Sequence, residues 1–188
     1  MMYILSEPEM SLAFKVAKAR MKSSIEKNIF ENKKSKKHSS FFIDYNGAAG
    51  EIAFLGLMLD QNFIDNNDYD RNLKIITSNQ IKSAYKGLDD GDLIIKDFNI
   101  DVKTSVYKNA HLWITENKRY TKLIDGYTLM VGDVDKSNKF YYKGYLDHSF
   151  VLKNWNNTSS NVSGKFSQNE LKSLPFSRKN DKKCLIKT

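Results

Sequence analysis

The feature that most constrains the fold is a pair of short apolar runs around a turn. Asp92-Leu-Ile-Ile-Lys96 and Ile100-Asp-Val-Lys-Thr104 flank Asp97-Phe98-Asn99. Their alternation and β-branched content predict a β-hairpin. Pairing Lys96 with Asn99 would set Ile94 opposite Asp101 and Asp92 opposite Lys103. Side chains alternate along a strand, so Asp92, Asp101 and Lys103 would then share one face. Leu93, Ile95, Ile100 and Val102 would be buried on the other. The hairpin would bury one side and keep a small charged cluster on the other.

The rest of the chain supplies helices and further strands. Met10, Phe14, Ala17, Met21, Ile25 and Ile29 recur every three or four residues. That spacing predicts a helix over about 8–31, with Ser6 as N-cap and Pro8 in the first turn. KKSKKHSS (33–40) ends it as a basic loop. Asn46-Gly47 reads as a turn, and the apolar run behind it as a buried helix over about 47–60 with Glu51 in its first turn. Residues 61–72 read as a loop, LKIIT (73–77) as a strand, and 78–91 as irregular up to the Asp89-Asp90-Gly91 turn. HLWIT (111–115) predicts a strand, 116–125 a short helix closed by Gly126, and 127–134 a buried strand. Lys136-Ser137-Asn138 turns the chain into a partner strand, 139–147, and 154–163 is loop. Helices interleaved with strands indicate an α/β domain with a mixed sheet. At 188 residues the chain makes one domain: a basic N-terminal helix and loop (1–40), a core (41–150) and a basic C-terminal segment (151–188).

Composition narrows the setting. One cysteine, Cys184, excludes an intrachain disulfide and a CxxC zinc site. No apolar run approaches the ~20 residues of a membrane helix, and MMYILSEPE lacks a basic signal-peptide start. The expectation is a cytoplasmic protein without a membrane partner. The net charge is +8, a balance that favours a polyanionic partner. Residues 1–40 carry nine basic against four acidic side chains, and residues 165–188 seven against two. The middle is slightly acidic. Lys33, Lys34, Lys36 and Lys37 are the densest basic run and are candidates for holding a DNA backbone. The bland alternative is two solvated tails.

The acids of the middle segment carry the chemistry. Close carboxylates repel unless a cation lies between them. Hard oxygen donors without nearby imidazoles or thiols suit Mg²⁺ or Mn²⁺. A neighbouring lysine can stabilise charge on a phosphate. An acid-x-lysine triplet alone says little, because the chain has five of them. Only Asp101/Lys103 lies in a convincing strand. Against this stands a cross-strand surface pair worth ~0.2–1 kcal/mol, with Glu51 a mere helix-dipole partner. His38, His111 and His148 show no ligand spacing, and Trp113 and Trp155 read as core or rim.

Three segments together, Gly47-Ala-Ala-Gly50-Glu51-Ile-Ala53, Gly91-Asp92-Leu-Ile-Ile and Ile100-Asp101-Val-Lys103-Thr104, resemble the PD-(D/E)XK nuclease superfamily. The likeness spans roughly 46–146 and is strongest to small phage-encoded or restriction-enzyme-like members. Gly91 stands where that pattern has proline. The resemblance implies a restriction-endonuclease-like mixed sheet flanked by helices, here with a long N-terminal helix, and Mg²⁺-dependent cleavage of DNA. By position it implies that Asp92, Asp101 and the Val102 carbonyl bind metal, that Glu51 completes the acidic site, and that Lys103 orients water or neutralises charge. Thr104 would donate to phosphate. A homodimer would let such an enzyme cut both strands. A non-cleaving DNA-binding protein on the same fold, or a nuclease for RNA or branched DNA, are the alternatives. Lysine makes up 26 of the 30 basic residues. That bias, with abundant asparagine, suggests an AT-rich bacterial or phage genome.

Overall fold

The computed structural model describes residues 1–26, 38–78, 91–116, 123–155 and 163–175. Its larger sheet has five strands: β1 (Met2–Ile4), β2 (Leu93–Ile95), β3 (Phe98–Ser105), β5 (Gly126–Val131) and β6 (Lys139–Asp147). Their spatial order is β1-β6-β5-β3-β2. β3 and β5 run parallel and the other neighbours antiparallel, so the sheet is mixed. β4 (Leu112–Thr115) pairs with β7 (Ser163–Phe166) in a separate ribbon. Helices α1 (Glu7–Glu26), α2 (Ser40–Asp60), α3 (Asn66–Ser78) and α4 (His148–Asn154) complete the fold. The α/β class and the mixed sheet agree with the sequence. No described helix is long and apolar enough to cross a membrane.

Alternation along the strands builds two cores. On one face Leu93, Ile95, Ile100, Val102 and Met130 pack with Ala49, Ile52 and Ala53 of α2 and Ala13 and Val16 of α1. On the other, Tyr127, Leu129 and Val131 pack with Leu112 and Ile114 of β4, Val151 of α4, and Trp155 and Phe166. β5 feeds both, which is why all six of its residues are buried.

Several elements differ from the sequence reading, each for a tertiary reason. α2 begins seven residues before its expected start and runs straight through Asn46-Gly47. Ser39 caps it, accepting from Phe42 N at 3.1 Å. The buried Asn46 amide is occupied elsewhere: it donates to Gly132 O and accepts from Val134 N, both at 3.1 Å. Glu51 consequently lies in mid-helix, away from the first turn. Residues 66–78, read as loop plus strand, form α3. Asp65 accepts from Asp68 N at its start, and Asn72 and Ile76 form the buried edge four residues apart. The Asn72 amide caps edge strand β2 like a further strand, donating to Ile94 O at 2.8 Å and accepting from Ile94 N at 2.6 Å.

The buried stripe of α1 is also rotated from the expected one. Ala13, Val16 and Ala17 are fully buried, whereas Phe14 and Met21 are more than a third exposed. Small residues let α1 lie close to α2, and Phe14 is moved to the rim, edge-on to Phe41 and Tyr45. Gly126 starts β5 instead of closing a helix. β1 and β7 had no expectation attached. The expected helix residues 27–31, the Lys33–Lys37 run, and most of 78–91, 116–125 and 154–163 lie outside the described residues.

Candidate functional site

The hairpin forms with a register two residues from the expected one: Leu93 pairs with Ile100 and Ile95 with Phe98. Lys96 and Asp97 make the turn at φ 48° and 70°. Both central residues of the turn are left-handed, the backbone twist that suits a two-residue hairpin loop. Because the shift is even, the face assignment within β3 survives. Ile100 and Val102 enter the α2-side core, and Thr104 turns against Gly50 of α2. Asp101 and Lys103 therefore point to the opposite face.

Asp101 is fully buried. The Lys103 amine donates to its Oδ1 at 2.9 Å and lies 2.7 Å from Oδ2, an ion-pair contact off hydrogen-bond alignment. A buried carboxylate needs such a partner, since desolvation of an unpaired charge costs several kcal/mol. Asp92 is placed differently. It precedes β2, donates its N–H to Ile100 O at 2.9 Å, and accepts from Val102 N on its own Oδ2 at 2.7 Å. Its carboxylate thus takes the place of a strand partner along the edge of β3, in the plane of the sheet. The Val102 carbonyl leaves β3 on the same side as its N–H and opens to that edge.

Glu51 lies on the α2 side. Both its oxygens accept from Arg20 of α1, at 2.8 and 2.7 Å, in a forked pair. Glu51 is 5% exposed. Burial would lower the Arg20 pKa, but the Glu51 carboxylate, with Asp92 and Asp44 nearby, more than offsets this and holds it above its ordinary value. Arg20 thus connects Glu51 to the Asp92 edge. Arg20 is a site residue that the sequence analysis does not single out. It follows Ala13, Val16 and Ala17 at helical spacing, and a charge in line with a buried stripe implies a buried partner.

Among the described residues, no group of three or more His, Cys, Asp or Glu side chains is arranged to hold a metal ion. Glu51 is engaged by Arg20, and among the described residues it forms no such group with Asp92 and Asp101. Of the expected ligands, what remains is two carboxylates, Asp92 and Asp101, and the Val102 carbonyl. That all-oxygen set suits Mg²⁺, which is commonly held by one or two carboxylates with water completing its shell. Thr104 Oγ1 is buried without a hydrogen-bond partner, directed at Gly50 of α2.

Beside Lys103 the opposite face opens into a cavity of about 390 Å³. No family model matches the chain, and no curated protein or solved structure does.

Proposed function

We propose that the chain is a metal-dependent endonuclease acting on DNA, restriction-endonuclease-like in fold, with α1 as its long N-terminal helix. The observation that carries the reading is the hairpin itself. Asp92 is bonded to Val102 N at 2.7 Å, beside the Asp101–Lys103 ion pair. Asp92, Asp101 and the Val102 carbonyl would hold Mg²⁺ or Mn²⁺, which supplies Lewis-acid polarisation and a more acidic bound water. Lys103, paired with Asp101, neutralises charge that develops on the phosphate. Asp101 holds that amine in place. Glu51 acts through Arg20, fixing α1 beside the edge where Asp92 lies. The mixed sheet with flanking helices agrees with what the resemblance implies. The chemistry fits an intracellular nuclease of bacterial or phage origin, as a monomer or as a homodimer cutting both strands.

A second reading, a DNA-binding protein that does not cut, is favoured by one observation. Glu51 is tied up by Arg20, and no carboxylate trio forms among the described residues. Plasmid, single-stranded DNA and RNA incubated with Mg²⁺, Mn²⁺, Ca²⁺ or EDTA separate the two. Cleavage should need Mg²⁺ or Mn²⁺ and stop in EDTA. Lys103→Ala should lower turnover ~100- to 1,000-fold, the usual loss for one charge-stabilising group. Asp101→Asn should weaken metal affinity. Because Lys103→Ala removes the ammonium paired with the buried Asp101, circular dichroism must show both variants folded. A folded Lys103→Ala protein that cuts at the wild-type rate refutes the assignment.

A further inference from the structure

The cavity beside Lys103 has the lining of a binding site. Lys103, Tyr107, Asn109, His111, Trp113 and Lys165 form much of its wall, and no acidic side chain contributes. Trp113 is there because of the pleat. Leu112 and Ile114 go fully into the second core, so Trp113 must turn outward. It is 51% exposed, and Tyr107 is 53% exposed. Lys165 is the direct cross-strand partner of Trp113, with its amine 5.6 Å from the ring centre. Two large aromatics half in water, between two lysines, are an unusual use of surface.

That combination matches a ligand with a flat aromatic part and a phosphate. The volume lies in the ~300–1,000 Å³ range of small-ligand sites. It admits a single nucleotide unit but no base-paired one, because the faces of paired bases are already stacked. We propose that the cavity takes one unpaired nucleotide of a single-stranded or frayed nucleic acid, its base against Trp113 and its phosphate between Lys103 and Lys165. Lys103 belongs both to this cavity and to the Asp101 pair, so a strand seated here passes the candidate catalytic hairpin. The proposal rests on the nucleic-acid reading of that site and refines its substrate to unpaired strands.

The test is binding in EDTA, where no cutting intervenes. The probe is an oligothymidylate of about eight nucleotides, within the ~4–16 that single-strand sites cover. Trp155 is 4% exposed and Trp113 half exposed, so a stacked base should quench Trp113 alone. Quenching should vanish in Trp113→Phe. Trp113→Ala should weaken affinity about 5- to 150-fold, as loss of one stacking contact does. Lys165→Ala should reduce the salt slope by about 0.7. A blunt duplex of equal length and free thymidine monophosphate should both bind more weakly. Quenching that persists in Trp113→Phe, or a duplex or mononucleotide that binds as tightly as the oligomer, overturns the proposal. Stacking without any cleavage supports it and refutes only the nuclease reading. Cleavage with an unchanged Trp113→Ala affinity does the reverse.

Discussion

Removing Arg20 should cost more than removing the charge of its partner. The two side chains lie 31 residues apart in sequence and meet in a fork at 2.8 and 2.7 Å. The Glu51 side chain is 6% exposed and that of Arg20 20%. Arg20→Gln leaves a carboxylate buried in mid-helix. Breaking a fully buried pair costs ~3–5 kcal/mol. Partial access of water to Arg20 lowers this to ~2–3 kcal/mol. In a chain of this size that is about 5–10 °C in Tm. Glu51→Gln leaves the guanidinium, which still has Asp92 and Asp44 nearby, so it should cost only ~1–2 kcal/mol. The double variant should be less destabilised than the sum of the singles by at least ~1 kcal/mol. Urea unfolding followed by circular dichroism measures all four proteins. If Glu51→Gln costs as much as Arg20→Gln, or the two losses simply add, the pair is not the buried anchor described. Activity of Glu51→Gln is then informative only well below its own midpoint.

Two further outcomes test the packing. Gly50→Ala would put a methyl onto Thr104 Oγ1. Overpacking should outweigh the ~1 kcal/mol of helix propensity that alanine adds, for a net loss of ~1–2 kcal/mol. A stabilised Gly50→Ala protein would contradict the close approach of α2 to β3. Burial foremost raises the pKa of Tyr3, Tyr69, Tyr142 and Tyr145, with Tyr69 pushed up to about 12 and helped by Glu9. Unfolded tyrosine loses its proton near pH 10.0, so between the two values the folded state holds more protons and stability must fall as pH rises. Phenolate absorbance from all ten tyrosines at the ordinary tyrosine pKa, before unfolding, would overturn this.

The hairpin was legible because its information is local: a period of two and a turn within thirteen residues. Even there the register slipped, since Phe98 reads as turn but begins β3. The slip did no damage to β3 because it was even. What the sequence concealed lies in long-range polar contacts. LKIIT looks like a strand by its β-branched content, yet Asn72 has to meet Ile94, 22 residues on, and the segment forms a helix that buries Asn72 and Ile76 one turn apart. Asn46-Gly47 looks like a turn until the Asn46 amide is seen holding Gly132 and Val134. Trp113 was decipherable in principle: alternation in HLWIT sets it opposite Leu112 and Ile114, whose burial turns it outward.

The same contacts change how the charge of the chain should be counted. Arg20 comes from the basic N-terminal segment, but its charge is used inside the fold, against Glu51. Lys103 is likewise matched by Asp101. A polyanion approaching the surface therefore meets lysines such as Lys15, Lys18 and Lys22 on the outer side of α1, all exposed, while the two internal cations hold the acids in place. Those internal pairs also explain how a slightly acidic middle tolerates buried carboxylates at all. Glu51 and Asp101 each have a cation in direct contact, and Asp92 has a backbone N–H along the strand edge. An incoming phosphate would compete with Asp101 for the Lys103 amine. Under the proposed function, binding of nucleic acid at the hairpin would thereby be coupled to release of that carboxylate, itself a metal ligand in that proposal.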